Sequence, residues 1–245
     1  MRKIFFHILG IIFTVMVFFI SSSHEARPAP LDWLKGKINI ATSTKLSDTQ
    51  IGSGLKEALK VGIQNTITLL GKTDGYLANQ AVKILMPESI KKFEPALRAM
   101  GQGPKIDEFI LSMNRAAEKS APLAADIFAT AITEMSFEDA KKILQGGNTA
   151  ATDYFKTKTY DKLLEMFQPS VRRAMNDYAV TQKFEAIAGR IQAIPFADKV
   201  GNMDVNRYVS SKALDGLFLV LGQQENKIRT DPAARVTDLL KQVFK

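Results

Sequence analysis

Asp204-Val205-Asn206-Arg207-Tyr208-Val209-Ser210-Ser211-Lys212-Ala213-Leu214-Asp215-Gly216-Leu217-Phe218-Leu219-Val220-Leu221 reads as one helix that is apolar nearly all round. Val205, Tyr208, Val209, Ala213, Leu217 and Val220 recur at helical spacing along one face, and Leu214, Phe218 and Leu221 continue round the back. A surface helix carries a single apolar stripe, whereas one that is apolar on most sides is enclosed by other elements. Asp204 supplies an N-cap, and the pattern holds to about Arg229. This stretch predicts a central helix wrapped by others, the core of an all-α fold.

Outward from it, the helical period runs through the chain from Ser47 onward. Ser47 with Gln50 makes a capping-box start for a helix bearing Ile51, Leu55, Leu59, Leu69 and Leu70, which Gly71 ends. Asp74 to Leu85 is less regular. Pro87 opens a helix reaching Met100, kinked by Pro95, and Gly101-Gln102-Gly103-Pro104 breaks the chain. Ile106, Phe109, Ile110, Met113, Ala116 and Ala117 form a stripe, with Asp107, Glu108, Arg115 and Glu118 on the other face. Ser120-Ala121-Pro122 restarts or bends the next helix, which runs to Met135. Ser136 with Asp139 caps another, closed by Gly146-Gly147. Asn148 or Thr149 caps a short helix carrying Asp153-Tyr154-Phe155, and a separate amphipathic helix follows Thr159, bent at Pro169. Thr181 starts a helix ending before Pro195, and Asp231-Pro232 caps the last one, to Phe244. No stretch shows the two-residue alternation of a strand. The expectation is a compact, single-domain all-α bundle over residues 47–245, of nine or ten helices and no sheet.

The first 46 residues read differently. Met1-Arg2-Lys3 is positively charged, Ile8 to Ile20 is apolar apart from Gly10 and Thr14, and Ser21-Ser22-Ser23 offers small residues for cleavage. That order is a secretory signal, residues 1–23, cut after Ser23. The competing reading is an uncleaved anchor, since the apolar stretch counted from Ile4 reaches the lower edge of a bilayer span. Both place the body across a membrane, in the periplasm or an equivalent compartment. No second segment is apolar enough to span. Residues 24–46 form a linker, extended at Arg27-Pro28-Ala29-Pro30, with Leu31-Asp32-Trp33-Leu34 as a short docked segment.

Residue types exclude much chemistry. The 245 residues include no cysteine and two histidines, His7 in the apolar leader and His24 just past it. From Leu31 to Lys245 there is no imidazole and no thiol, which removes thiol nucleophiles, Ser–His–Asp triads, and nearly all zinc, copper and haem sites. No metal or cofactor is expected. The formal charge of +8 favours anionic partners. The basic residues are scattered, however, the densest spots being the doublets Lys91-Lys92, Lys141-Lys142 and Arg172-Arg173. Without interleaved aromatics there is no nucleic-acid footprint.

Two constellations stand out. Lys212 and Asp215 lie one turn apart on the same side of the central helix as Tyr208 and Leu219. If that side is enclosed, they form an internal ion pair fixing helix register, or the polar floor of a ligand pocket. Gly146-Gly147-Asn148-Thr149 precedes a helix N-terminus, whose free N–H groups can receive an anion. The plainer reading is a C-cap followed by an N-cap, because the lysine and strand of a phosphate loop are missing. Ser89-Ile90-Lys91-Lys92 matches the Ser-x-x-Lys of penicillin-recognising enzymes without its companion motifs. Glu88-Ser89 matches the glutamate of helical peptidoglycan lyases without their glycine-rich sequence. Asp107-Glu108 and Glu138-Asp139 sit at helix starts, where the helix dipole explains them.

Gly52-x-Gly54-Leu55-Lys56-Glu57-Ala58-Leu59, Ser112-Met113-Asn114-Arg115-Ala116-Ala117-Glu118, Ala150-Ala151-Thr152-Asp153-Tyr154-Phe155, Lys212-Ala213-Leu214-Asp215-Gly216-Leu217-Phe218 and Ile228-Arg229-Thr230-Asp231-Pro232 resemble a family of exported bacterial proteins. That family is catalogued only as a domain of unknown function. The resemblance implies export and one helical domain, and it supplies no activity or catalytic residues. Within these blocks, Asn114, Arg115, Asp153, Tyr154, Lys212 and Asp215 are polar or amphipathic and are the candidate ligand-binding residues. The leading expectation is a non-catalytic binding protein for a lipid-like or other envelope molecule. The alternatives are a glycan-cleaving enzyme that uses carboxylates alone, and a structural partner in an envelope assembly.

Overall fold

The computed structural model describes residues 47–192, 194 and 203–244. The leader and linker expected over residues 1–46 lie outside these. Helix α9, Val205–Thr230, occupies the centre, started by Asp204, whose carboxylate accepts from the Arg207 N–H at 2.9 Å. Around it pack α1 (Asp48–Leu70), α4 (Gly103–Ser120), α7 (Ala150–Asp177) and α8 (Val180–Ile191). Helices α2 (Glu88–Lys91), α3 (Glu94–Ala99), α5 (Ala124–Glu134), α6 (Phe137–Leu144) and α10 (Asp238–Val243) complete an all-α bundle with no strand among the described residues.

The core follows the sequence stripes. Leu55, Leu59, Phe109, Met113, Phe155, Phe167, Leu217 and Phe218 are each 2% exposed or less, and burying a side chain of this size contributes roughly 1.5–3 kcal/mol. Phe218 meets Phe128 edge-on at 5.3 Å and stacks on Tyr160 at 6.1 Å between ring centroids. Close approach requires glycine at two places, one where the irregular segment after α1 packs on α9 and one where α10 packs on α1. A Cβ on Gly216 would lie 2.7 Å from the Tyr76 ring, and one on Gly54 would lie 2.4 Å from Val243.

Several boundaries differ from expectation. Pro95 does not kink a helix; it sits in the first turn of α3, where its missing N–H costs nothing. Thr159 breaks nothing, because α7 runs unbroken for 28 residues and contains Pro169. Asp231 and Pro232 start only a single 3-10 turn, and α10 begins afresh with Thr237 accepting from the Leu240 N–H. Glu118 is not on the solvent face: it is 3% exposed.

Candidate functional site

Between Tyr208 and Asn226, helix α9 is covered on every side but one. Tyr208 and Asp215 are half-buried, and Lys212, Leu219, Gln223 and Asn226 are exposed. Their spacing of three and four residues puts them on one face. At 1.5 Å per residue, the strip from Tyr208 to Asn226 is ~27 Å long. Two clefts follow it and meet at Asp215 and Leu219. The first, of about 260 Å³, is walled by Ala81–Met86 and Glu88. The second, of about 440 Å³, is walled by Thr149, Thr152, Asp153 and Lys156 of the α7 end. Leu85 and Leu219 expose 48% and 46% of their surface here, so the groove has apolar ground between charged edges.

The first wall is held by α4. The Asn114 amide accepts from the Ile84 N–H at 2.9 Å and donates to the Ile84 carbonyl at 2.8 Å. One turn on, the buried Glu118 carboxylate accepts from the Tyr76 and Leu77 N–H groups, both at 3.1 Å. Arg115 bridges Glu118 at 2.6 Å and Asp74 at 2.7 Å. Asp74 has a φ of 65°, a left-handed turn that acids and asparagine tolerate best after glycine. The Tyr76 hydroxyl then donates to the Ala213 carbonyl of α9 at 2.7 Å. Residues 74–86, irregular in themselves, are thereby fastened between α4 and α9.

The second wall begins at the N-terminus of α7, where Asn148 or Thr149 was the expected cap. Neither side chain caps it. The carboxylate of Glu225 on α9 accepts from the N–H groups of Ala151 and Thr152 at 2.9 and 2.8 Å, and from the Thr152 hydroxyl at 2.7 Å. Arg229 donates to the same carboxylate at 2.8 Å, and its side chain is 8% exposed. The anion that a helix N-terminus attracts is thus supplied by the protein itself. Thr149 instead donates to Asp153 at 2.8 Å.

Lys212 and Asp215 do not pair with each other, correcting the expected internal ion pair. That side of α9 faces solvent, and Asp215 is met at 3.1 Å by Lys156 reaching across from α7. The Lys156 ammonium also lies 5.5 Å from the Tyr160 ring centre and 5.9 Å from that of Phe218. Lys212 lies 6.0 Å from the Tyr208 ring centre. The Tyr208 hydroxyl donates to the Leu85 carbonyl at 3.0 Å, tying the first wall to α9. Burial pushes this hydroxyl up to about 12, with the Glu88 charge adding to it. Burial and then the Asp215 charge push Tyr160 likewise to about 12. Both phenols are neutral donors at physiological pH. No group of three or more potential metal ligands occurs among the described residues.

Residues 45–245 match the model of a family described as "Protein of unknown function (DUF4197)". The chain belongs to this family. No curated protein and no solved structure matches it. Within this DUF4197 domain, no described helix is long and apolar enough to cross a membrane.

The structure brings three of the six candidate residues, Asp153, Lys212 and Asp215, to one groove. Asn114 and Arg115 stand behind its wall as fasteners. Tyr154 turns toward α6, where burial and a hydrogen bond to Asp139 push its hydroxyl up to about 12. Sequence reasoning passed over Lys156, Leu85 and Glu225, and it put the buried Glu118 on the solvent face. Lys156 carried a usable signal, since it follows Asp153 by three residues and so shares its helix face.

Proposed function

We propose that this DUF4197 chain is an exported, non-catalytic binding protein that holds an amphipathic envelope molecule along the open strip of α9. The observation that carries the reading is the pair of exposed leucines, Leu85 and Leu219, set between charged rims in clefts that join end to end. A helix so fully wrapped elsewhere leaves exposed leucine only where something covers it or where isolated exposure is tolerated, and two in one groove favour the former. The charged leader and short apolar core over residues 1–23 support export. The open clefts suit an extended ligand lying across the surface better than an acyl chain swallowed whole.

Asp153 and Asp215 line the same cleft, which is the observation favouring a carboxylate-only hydrolase. Thr149 and Lys156 already engage these two acids, and this supports the binding reading over the enzymatic one. Native mass spectrometry of protein gently extracted from its own cells tests the proposal. A bound species is expected on the parent chain and is expected to be lost from Leu219→Lys. Repeated recovery of ligand-free protein, inert to lipids and envelope extracts, would sink it.

A further inference from the structure

We infer that the backbone at Lys83 and Leu85 is a docking edge for an extended polypeptide segment bearing an acidic side chain. This deepens the binding reading and rests on it. The geometry starts from Asn114, whose amide takes both the N–H and the C=O of Ile84. Both groups therefore face α4. A trans peptide unit sets its C=O and N–H on opposite sides, and the described chain has no cis peptide bond. The Lys83 C=O shares a unit with the Ile84 N–H, and the Leu85 N–H shares one with the Ile84 C=O. Both must point away from α4. On the side away from α4, the Leu85 carbonyl receives the Tyr208 hydroxyl, and Lys83, Leu85 and Tyr208 line the first cleft together. Neither the Lys83 C=O nor the Leu85 N–H has a hydrogen-bond partner among the described residues. An unpaired C=O and N–H, two residues apart on one side of an extended stretch, are what a sheet edge offers to an added strand.

The surroundings select the occupant. Leu85 and Leu219 give apolar ground for alternate side chains of such a strand. The two acids of the cleft are already paired, Glu88 with Lys91 at 3.0 Å and Asp215 with Lys156 at 3.1 Å. Lys83 and Lys212, on facing walls, make no ion pair among the described residues. The Lys212 ammonium therefore stands beside the unpaired amide groups without an ion pair among the described residues, while the Lys83 charge also bears on Asp107 of α4. A main-chain amide matches that edge donor for acceptor, and an acidic side chain matches Lys212. An acyl chain matches neither.

The test uses the purified full chain panned against a phage-displayed library of random heptapeptides. Enriched peptides are then synthesised, both as found and singly N-methylated along the backbone. Enrichment of acidic, alternately apolar sequences is expected. Leu85→Pro, which deletes an N–H that bonds to nothing among the described residues, is expected to weaken binding about tenfold, the worth of one hydrogen bond of ~1.4 kcal/mol. N-methylation at one peptide position is expected to do the same to the parent protein, so a misfolded proline variant does not decide the matter. Lys212→Glu is expected to abolish the preference for acids. No enrichment, or peptides indifferent to all three changes, would overturn the docking edge. The broader reading would still stand if native mass spectrometry found a non-peptide species that Leu219→Lys removes.

Discussion

Tyr76 is fully buried, with its hydroxyl donating to the Ala213 carbonyl, and burial first and the Glu118 charge second push its ionisation well above the ordinary phenol value. In the unfolded chain a tyrosine ionises near about 10. Between that pH and the raised folded value, the folded protein holds a proton that the unfolded chain has lost. The stability linked to Tyr76 is therefore complete below about pH 10 and falls as pH rises through the raised value, at ~1.4 kcal/mol per pH unit. Tyr160 and Tyr208 shift in the same direction and add to the slope. Urea unfolding between pH 9 and 11.5 should show this decline, and Tyr76→Phe should flatten it by about one proton's worth. An unchanged slope in the variant would contradict the assignment. At this scale the sequence was least legible. Asn114 and Arg115 stood out as polar residues in family-like blocks, yet Asn114 bonds the backbone of Ile84, and Arg115 bonds the carboxylates of Asp74 and Glu118. Glu118 was assigned to solvent because helical spacing counts faces without knowing which irregular segment lies over them.

Helix α7 depends on a residue 73 or 74 positions away: Glu225 receives the two N-terminal amides that a local side chain ordinarily caps. Glu225→Ala would strip those bonds and leave Arg229, itself enclosed, without its carboxylate. Breaking a buried pair in this way costs about 3–5 kcal/mol. Chemical denaturation at neutral pH checks it, with faster amide exchange over the first turn of α7 as a local signature. A loss below about 1 kcal/mol would mean that water replaces the carboxylate without difficulty. The caps written in neighbouring residues were readable: Ser47 with Gln50, Ser136 with Asp139, and Asp204 all start helices as expected. Proline was ambiguous because it both kinks a helix and begins one. Pro95 and Pro232 begin elements, whereas Pro169 lies inside one. The cap supplied by Glu225 could not be read locally, since nothing near Thr149 encodes it.

For the molecule as a whole, a central helix wrapped by its neighbours was legible because nearly every face of α9 is apolar. The exception is the face proposed to bind. Lys212, Asp215 and Leu219 could be placed on one side of α9 by spacing alone, but only the packing shows that this side stays open. Lys156, reaching in from another helix to Asp215, has no trace in the periodicity of α9. The most direct test of the proposed binding surface is site-specific photocrosslinking in intact cells, comparing a photoreactive residue at position 219 with one at position 111. Leu111 is a comparably exposed leucine that lines neither cleft. A discrete adduct from position 219 and none from position 111 is the predicted result. Equal labelling from both positions, or none from either, would contradict it.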